Sequence, residues 1–101
     1  MDYKINEIHK ILDSENKEEK IKILESLNNT DDSNLIKKIV SKLDDPDIEV
    51  RGEAFSTLIS NKNEISDIII ESLNSENKNI RGFSALILAN RKDSEGIESL
   101  I

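Results

Sequence analysis

The sequence predicts an all-α fold, a right-handed α-solenoid of antiparallel helical hairpins with about three repeats and one further helix. Three observations lead to this prediction. The chain of 101 residues repeats itself at an offset of 30 residues, its apolar residues recur with helical spacing, and capping residues stand at matching places. The length is that of a single domain, residues 1–101.

The clearest copies of the repeat lie in the second half of the chain. Residues 43–58 align with residues 73–88 at an offset of 30, and an Arg-Gly pair coincides in the two segments. The apolar residues upstream align at the same offset and follow the spacing of a helical face. A fainter copy covers the N-terminal third at an offset of 31, as is typical of a terminal repeat with one side facing water. The unit therefore contains two helices, and the repeats run approximately over 3–29, 32–61 and 62–91, with a partial repeat over 92–101.

Capping residues set the expected helix boundaries. Asp45 followed by Pro46 predicts an N-cap followed by the one helical position where proline costs nothing, and Ser14 and Ser75 are the equivalent caps. Short connections make neighbouring helices antiparallel. The second helix of each hairpin is expected to line the concave side. The predicted helices lie near residues 3–13, 16–28, 33–43, 46–60, 64–74, 76–90 and 94–101.

The repeat motif resembles the second half of a HEAT repeat, and its short period is similar to the HEAT-like units of phycobilisome lyases. The resemblance implies a ladder between stacked repeats, in which an Asp of the hairpin turn and an Arg of the second helix take part, and Asp45 and Arg51 match these two positions. Ser75 and the Glu19-Lys20 pair depart from the motif, and an armadillo or another helical-pair solenoid stays open. The residues assigned to the motif are Asp45, Val50, Arg51, Ala54, Ile80, Arg81 and Ser84.

Charge and composition exclude several classes of function. The net charge is -7 and no segment is basic, which disfavours nucleic acid because binding to phosphates needs Lys and Arg. The absence of cysteine excludes disulfides and thiolate metal sites. The N-terminus has no uninterrupted apolar run of the kind found in a signal peptide or membrane span. We therefore expect a cytoplasmic protein with no cofactor and no nucleic-acid or membrane partner.

Two groups of residues with metal-binding chemistry are interpreted as structural. His9 is the only histidine and has no second ligand nearby, so we assign it to the core edge of the N-terminal repeat. The acidic cluster of residues 44–49 lacks the glycine and the bidentate glutamate of a calcium loop. Acidic residues at a helix start complement its dipole, so capping is the expected role of the cluster.

The recurring Arg-Gly pairs are also given a structural interpretation. Arg51 and Arg81 are predicted to form hydrogen bonds between repeats, to turn carbonyls or to Asp45, in preference to binding an anion. Gly52 and Gly82 are costly inside helices and predict close backbone packing of neighbouring second helices. The alternative is a notch where a partner approaches.

No catalytic pattern is recognised, so the expected function is a protein-binding scaffold or adaptor and not an enzyme. Its partner is expected to contact the concave face, where glutamates favour basic residues, or an apolar C-terminal end. Phe83 and Leu86 lie beyond the usual apolar stripe of their helix, and the equivalent residues are polar in the other repeats. The last helix is expected to fold over Phe83 and Leu86 as a cap, and the alternative is an exposed patch that pairs with another protein or, as a homodimer, with a second copy. For the function of the whole chain, a HEAT-like enzyme, enzyme subunit or chaperone of the bilin-lyase type is the alternative. The residues assigned to partner binding are Glu49, Glu53, Phe83, Leu86, Ile97, Leu100 and Ile101.

Overall fold

The computed structural model of the chain describes residues 4–91, which form α-helices, one short 3-10 helix and no strand. The all-α prediction is therefore confirmed, while the predicted helix over 94–101 lies outside the described residues. The bounds of the α-helices are α1 Ile5–Leu12, α2 Lys17–Ser26, α3 Ser33–Ser41, α4 Ile48–Ser60, α5 Ser66–Ser72 and α6 Lys78–Arg91. The 3-10 helix, Lys42–Asp44, follows α3 directly.

The helices pack in two rows. In one row α2 contacts α4 and α4 contacts α6, and in the other α1 contacts α3 and α3 contacts α5. Each odd-numbered helix also contacts the even-numbered helix that follows it in the chain. The pairs α1 and α2, α3 and α4, and α5 and α6 therefore correspond to the hairpins expected from the repeat.

The core between the rows consists of aliphatic side chains at the repeated apolar positions. Ala54 of α4 is fully buried, and so is Ser84 at the equivalent position of α6. The Ser84 hydroxyl is 2.6 Å from the hydroxyl of Ser72 on α5, which satisfies a polar group that would otherwise be costly to bury. Other residues with no exposed surface are Leu12, Leu24, Ile36, Ile39, Leu43, Val50, Leu58, Ile69, Ile87 and Leu88.

The predicted N-caps Ser14, Asp45 and Ser75 are wrong by two residues. In each hairpin their side chains accept the backbone N–H of the residue two positions later, so they shape the turn before the helix. That later residue is an Asn or Asp whose side chain caps the helix. The observed N-caps of the second helices are Asn16, Asp47 and Asn77.

A buried ion pair joins the first two hairpins. Lys20 of α2, which aligns with Arg51 at the offset of 31, places its Nζ 2.9 Å from Oδ2 of Asp45. The two side chains are only 8% and 1% exposed. Arg51 donates instead to the main-chain carbonyl of Asp45 at 2.9 Å, within its own hairpin. The contact between repeats that the resemblance assigned to Arg51 is therefore made by Lys20.

A second set of contacts between hairpins lies at the opposite end of the helices. The Asn61 side chain donates to the carbonyl of Thr30 at 2.7 Å. One repeat later, Arg91 donates to the carbonyls of Asn61 and, at 3.1 Å, Asn63. Asn61 and Arg91 occupy equivalent positions at the offset of 30, so one geometry recurs with two different side chains.

Replacing Arg51 is expected to destabilise the fold. Arg51→Ala removes the donor to the Asp45 carbonyl and should lower the free energy of unfolding by about 1 to 3 kcal/mol. Arg81→Ala is the matched control, because Arg81 makes the same contact with the carbonyl of Ser75 at 2.7 Å but at an exposed position. Loss of this exposed contact should lower the free energy of unfolding by less. Urea unfolding of both variants checks this, and a fully stable Arg51→Ala that lost partner binding would assign Arg51 to the interface.

Candidate protein-binding face

The row of α2, α4 and α6 presents one continuous face, which we call the even-helix face. It is defined by Glu25 on α2, Ser56 on α4 and Leu86 on α6, which are equivalent at the offsets of 31 and 30. All three side chains are exposed. Because the three helices pack side by side, equivalent positions place these side chains next to one another across the row.

An acidic groove runs between α2 and α4 on this face. It has a volume of about 350 Å³, and Glu25 and Glu53 face each other across it. Burial raises the pKa of Glu53 above its ordinary value, and the charge of Glu25 raises it further, while the Thr57 hydroxyl opposes the shift in part. The residues that line the groove are Glu25, Asn28, Glu53, Ser56, Thr57 and Ser60.

The two groove glutamates differ from Asp45 and Glu49, which pair with lysines of the preceding hairpin. Within residues 4–91, neither Glu25 nor Glu53 forms an ion pair. Glu49, predicted as part of the same partner surface, lies 3.1 Å from Nζ of Lys17 on α2. Glu49 is therefore engaged by its own chain, and the charge of the groove is carried by Glu25 and Glu53.

The predicted C-terminal apolar patch is only partly exposed. The ring of Phe83 is half-buried and packs against Phe55 of α4, with centroids 5.7 Å apart and planes tilted by 56°. Phe83 therefore contacts α4 and presents only part of its ring to solvent. Leu86 is 52% exposed. The remaining patch residues lie outside the described part of the chain and are Ile97, Leu100 and Ile101.

A shallow apolar groove follows α6 beside Leu86. Its volume is about 230 Å³, and Lys78 and Asn79 form its end near the start of the helix. Gly82 lies between them and Leu86 and forms part of the wall, with Phe83 on the side towards α4. The even-helix face thus changes from acidic at α2 and α4 to apolar at α6.

The two helix glycines do not serve close packing. Gly52 and Gly82 are exposed, and a Cβ atom built on either residue would meet no atom within 4 Å. The packing interpretation is therefore wrong. Each glycine leaves an open notch on its helix, and the two notches occupy equivalent positions on α4 and α6.

The other sequence-predicted candidates have structural surroundings. His9 is half-buried at the margin of α1. Asp44 accepts hydrogen bonds from the amide groups of Asn77 and Asn79 at 2.6 and 2.9 Å, which ties the acidic cluster to the next hairpin. Within residues 4–91, no group of three His, Cys, Asp or Glu side chains is arranged to hold a metal ion.

Sequence reasoning identified single glutamates but missed the groove they form. Asn28 and Ser60 complete its polar lining and carry no motif signal. The groove could have been found from the equivalence of Glu25, Ser56 and Leu86 in the repeat. This equivalence places the Glu25 carboxylate across the row from the part of α4 that carries Glu53.

In the part of the chain that the structure describes, every buried side-chain nitrogen and oxygen atom has a hydrogen-bond partner. No helix within the same residues has both the length and the apolar character needed to cross a membrane. Comparison of the chain with protein-family models, with curated proteins and with solved structures found no match.

Proposed function

We propose that this chain is a right-handed α-solenoid of the HEAT-like kind that binds a protein partner through its even-helix face and catalyses no reaction. The observation that carries the proposal is the pair of close carboxylates, Glu25 and Glu53, in a groove between two hairpins. The two charges repel each other and have no ion-pair partner in the described chain. A cationic side chain from a partner would offset this repulsion.

The ion pairs elsewhere on the chain support this interpretation. Asp45 has Lys20, Asp13 has Lys38 and Glu49 has Lys17 as ion-pair partners, each from another helix or turn. Glu25 and Glu53 also lie on neighbouring hairpins, but within residues 4–91 neither has a lysine or arginine as such a partner. A half-buried carboxylate is destabilised by a second carboxylate beside it, and a ligand of opposite charge offsets that repulsion.

The two-row packing supports the solenoid part of the proposal. Each hairpin contacts the next through both of its helices, which is how repeats stack into a superhelix. Solenoids of stacked hairpins bind partners on the surface formed by one of the two rows. We place that binding in the cytoplasm, since the chain has no cysteine and needs no disulfide.

Affinity capture with matched variants tests the proposal. The tagged protein, the double variant Glu25→Gln with Glu53→Gln, and a control double variant are each used to capture proteins from a lysate of the native host. The control is Glu7→Gln with Glu71→Gln, which removes the same charge from exposed positions on α1 and α5. A partner captured by the wild type and the control should fall about tenfold or more with the groove variant.

Two results would contradict the proposal. Capture that is unchanged in the groove variant would show that the even-helix face is not the binding surface. Equal losses in both double variants would show that net charge, and not the groove, governs the association.

A further inference from the structure

The two grooves of the even-helix face are arranged to hold two different side chains of one ligand. The acidic groove lies between α2 and α4, and the apolar groove beside Leu86 follows α6. Gly52 stands on α4, the helix between them, and a Cβ atom there would meet nothing within 4 Å. A ligand backbone can therefore cross α4 at this notch, because Gly52 has no side chain to obstruct it.

The spacing of the helices fixes the reach that such a ligand needs. Neighbouring packed helices lie about 8 to 10 Å apart, so the two grooves are separated across the row by about one and a half spacings, or roughly 12 to 15 Å. An extended chain rises about 3.3 Å per residue, so about four residues cover this distance. Since side chains alternate between faces along an extended chain, residues i and i+4 both point towards the protein.

We infer that the even-helix face binds an extended segment of a partner protein that carries an apolar residue and an Arg or Lys four positions apart. The apolar side chain enters the groove formed by Gly82, Phe83 and Leu86, and the cation lies between Glu25 and Glu53. The inference rests on the proposed function and names the class of ligand for that face.

Charge decides between this occupant and the others that the face could hold. A second copy of the chain would bring another net charge of -7 towards the groove glutamates, and nucleic acid would bring phosphates. Leu86, by contrast, is the exposed large aliphatic side chain of α6, and Lys78 stands at the far end of its groove. A segment with separate apolar and basic positions fits both grooves.

Fluorescence polarisation with defined peptides tests the inference. The probe is a fluorescein-labelled peptide of sequence Ser-Leu-Ser-Gly-Ser-Arg-Ser, in which Leu and Arg are four positions apart. Its affinity for the full chain should exceed by about tenfold that of a peptide with the two residues three positions apart, because one of them then points away. Replacing Leu by Ser, or Arg by Gln, in the probe should cause a similar loss.

Protein variants identify the two grooves. Leu86→Ser and Glu53→Gln should each weaken probe binding about tenfold, whereas Glu7→Gln on α1 should leave it unchanged. Gly52→Leu fills the notch and should weaken binding of the probe. The midpoint of thermal unfolding should stay the same or rise, because leucine has a higher helix propensity than glycine. A loss of binding in this variant thus cannot come from unfolding.

Several outcomes would overturn the inference. The first is no binding of the probe at a protein concentration of about 1 mM. The second is equal affinity for the two peptide spacings, and the third is self-association of the chain that Leu86→Ser abolishes in sedimentation. If the probe fails while affinity capture still depends on Glu25 and Glu53, the proposed function stands and the ligand class named here is wrong.

Discussion

Ala54→Asp is expected to leave the chain unfolded at 25 °C. Ala54 has no exposed surface and lies on the buried side of α4, so a carboxylate there would have to be desolvated without a cation beside it. The cost should be about 4 kcal/mol or more, which is comparable to the whole stability of many domains of this size. Circular dichroism and urea unfolding measure the result.

Ala89→Asp is the matched control for this change. Ala89 is exposed in the last turn of α6, so the same substitution should cost only about 0.3 to 1 kcal/mol through the helix dipole. Equal effects of the two substitutions, or a fully folded Ala54→Asp, would contradict the two-row packing around α4.

The buried apolar positions could be predicted from the sequence because they are repeated. Leu43, Leu58 and Ile69 are fully buried, and each stands at a position that the offset of 30 aligns with an apolar residue of another repeat. Periodicity reports which side of a helix is buried, because a helix returns to the same side every 3.6 residues. The two helices of each hairpin were predictable for the same reason.

The polar contacts could not be predicted in the same way. Asp45 followed by Pro46 has the composition of an N-cap, yet α4 begins at Ile48 and Asp47 caps it. The Asp45 side chain is instead held by Lys20 and by the N–H of Asp47. A local motif cannot show that a lysine from the preceding hairpin reaches this carboxylate.

The grooves of the even-helix face could not be predicted from the sequence pattern either. The helical phase of Phe83 placed it beyond the apolar stripe of its hairpin, and this phase does not report its contact with Phe55 on α4. Contacts along a row depend on how hairpins stack, and the period of one helix does not report that stacking. The open space at Gly52 and Gly82 also depends on how the hairpins stack.

The buried pair of Lys20 and Asp45 leads to the second large expected effect. Burial by itself would raise the pKa of the Asp45 carboxyl, but the N–H of Asp47, Lys20 and Lys42 outweigh it and hold this pKa below its ordinary value. Nζ of Lys42 is 3.6 Å from the same carboxylate, so two ammonium groups from different elements converge on one buried anion. Removing the anion leaves the Lys20 ammonium buried without a counter-charge.

Asp45→Asn is expected to lower the free energy of unfolding by about 3 to 5 kcal/mol at pH 7. The amide oxygen can still accept the Asp47 N–H, so the loss isolates the charge that Lys20 requires. Lys20→Met should cost less, because Lys42 still neutralises Asp45. In the double variant Lys20→Met with Asp45→Asn the cost should fall below the sum of the single changes, and urea unfolding of all four proteins measures that coupling.

The pH dependence of stability separates the charge of Asp45 from its shape. Since the folded-state pKa of Asp45 lies below its unfolded value, this carboxylate contributes its full stability above the unfolded pKa, about 3.9, and loses it as pH falls through the folded pKa. The difference in unfolding free energy between wild type and Asp45→Asn should therefore be constant from pH 7 down to about pH 5 and shrink below about pH 4. A difference that stays the same at pH 3 would show that the asparagine acts by altering the turn, and not by removing the partner of Lys20.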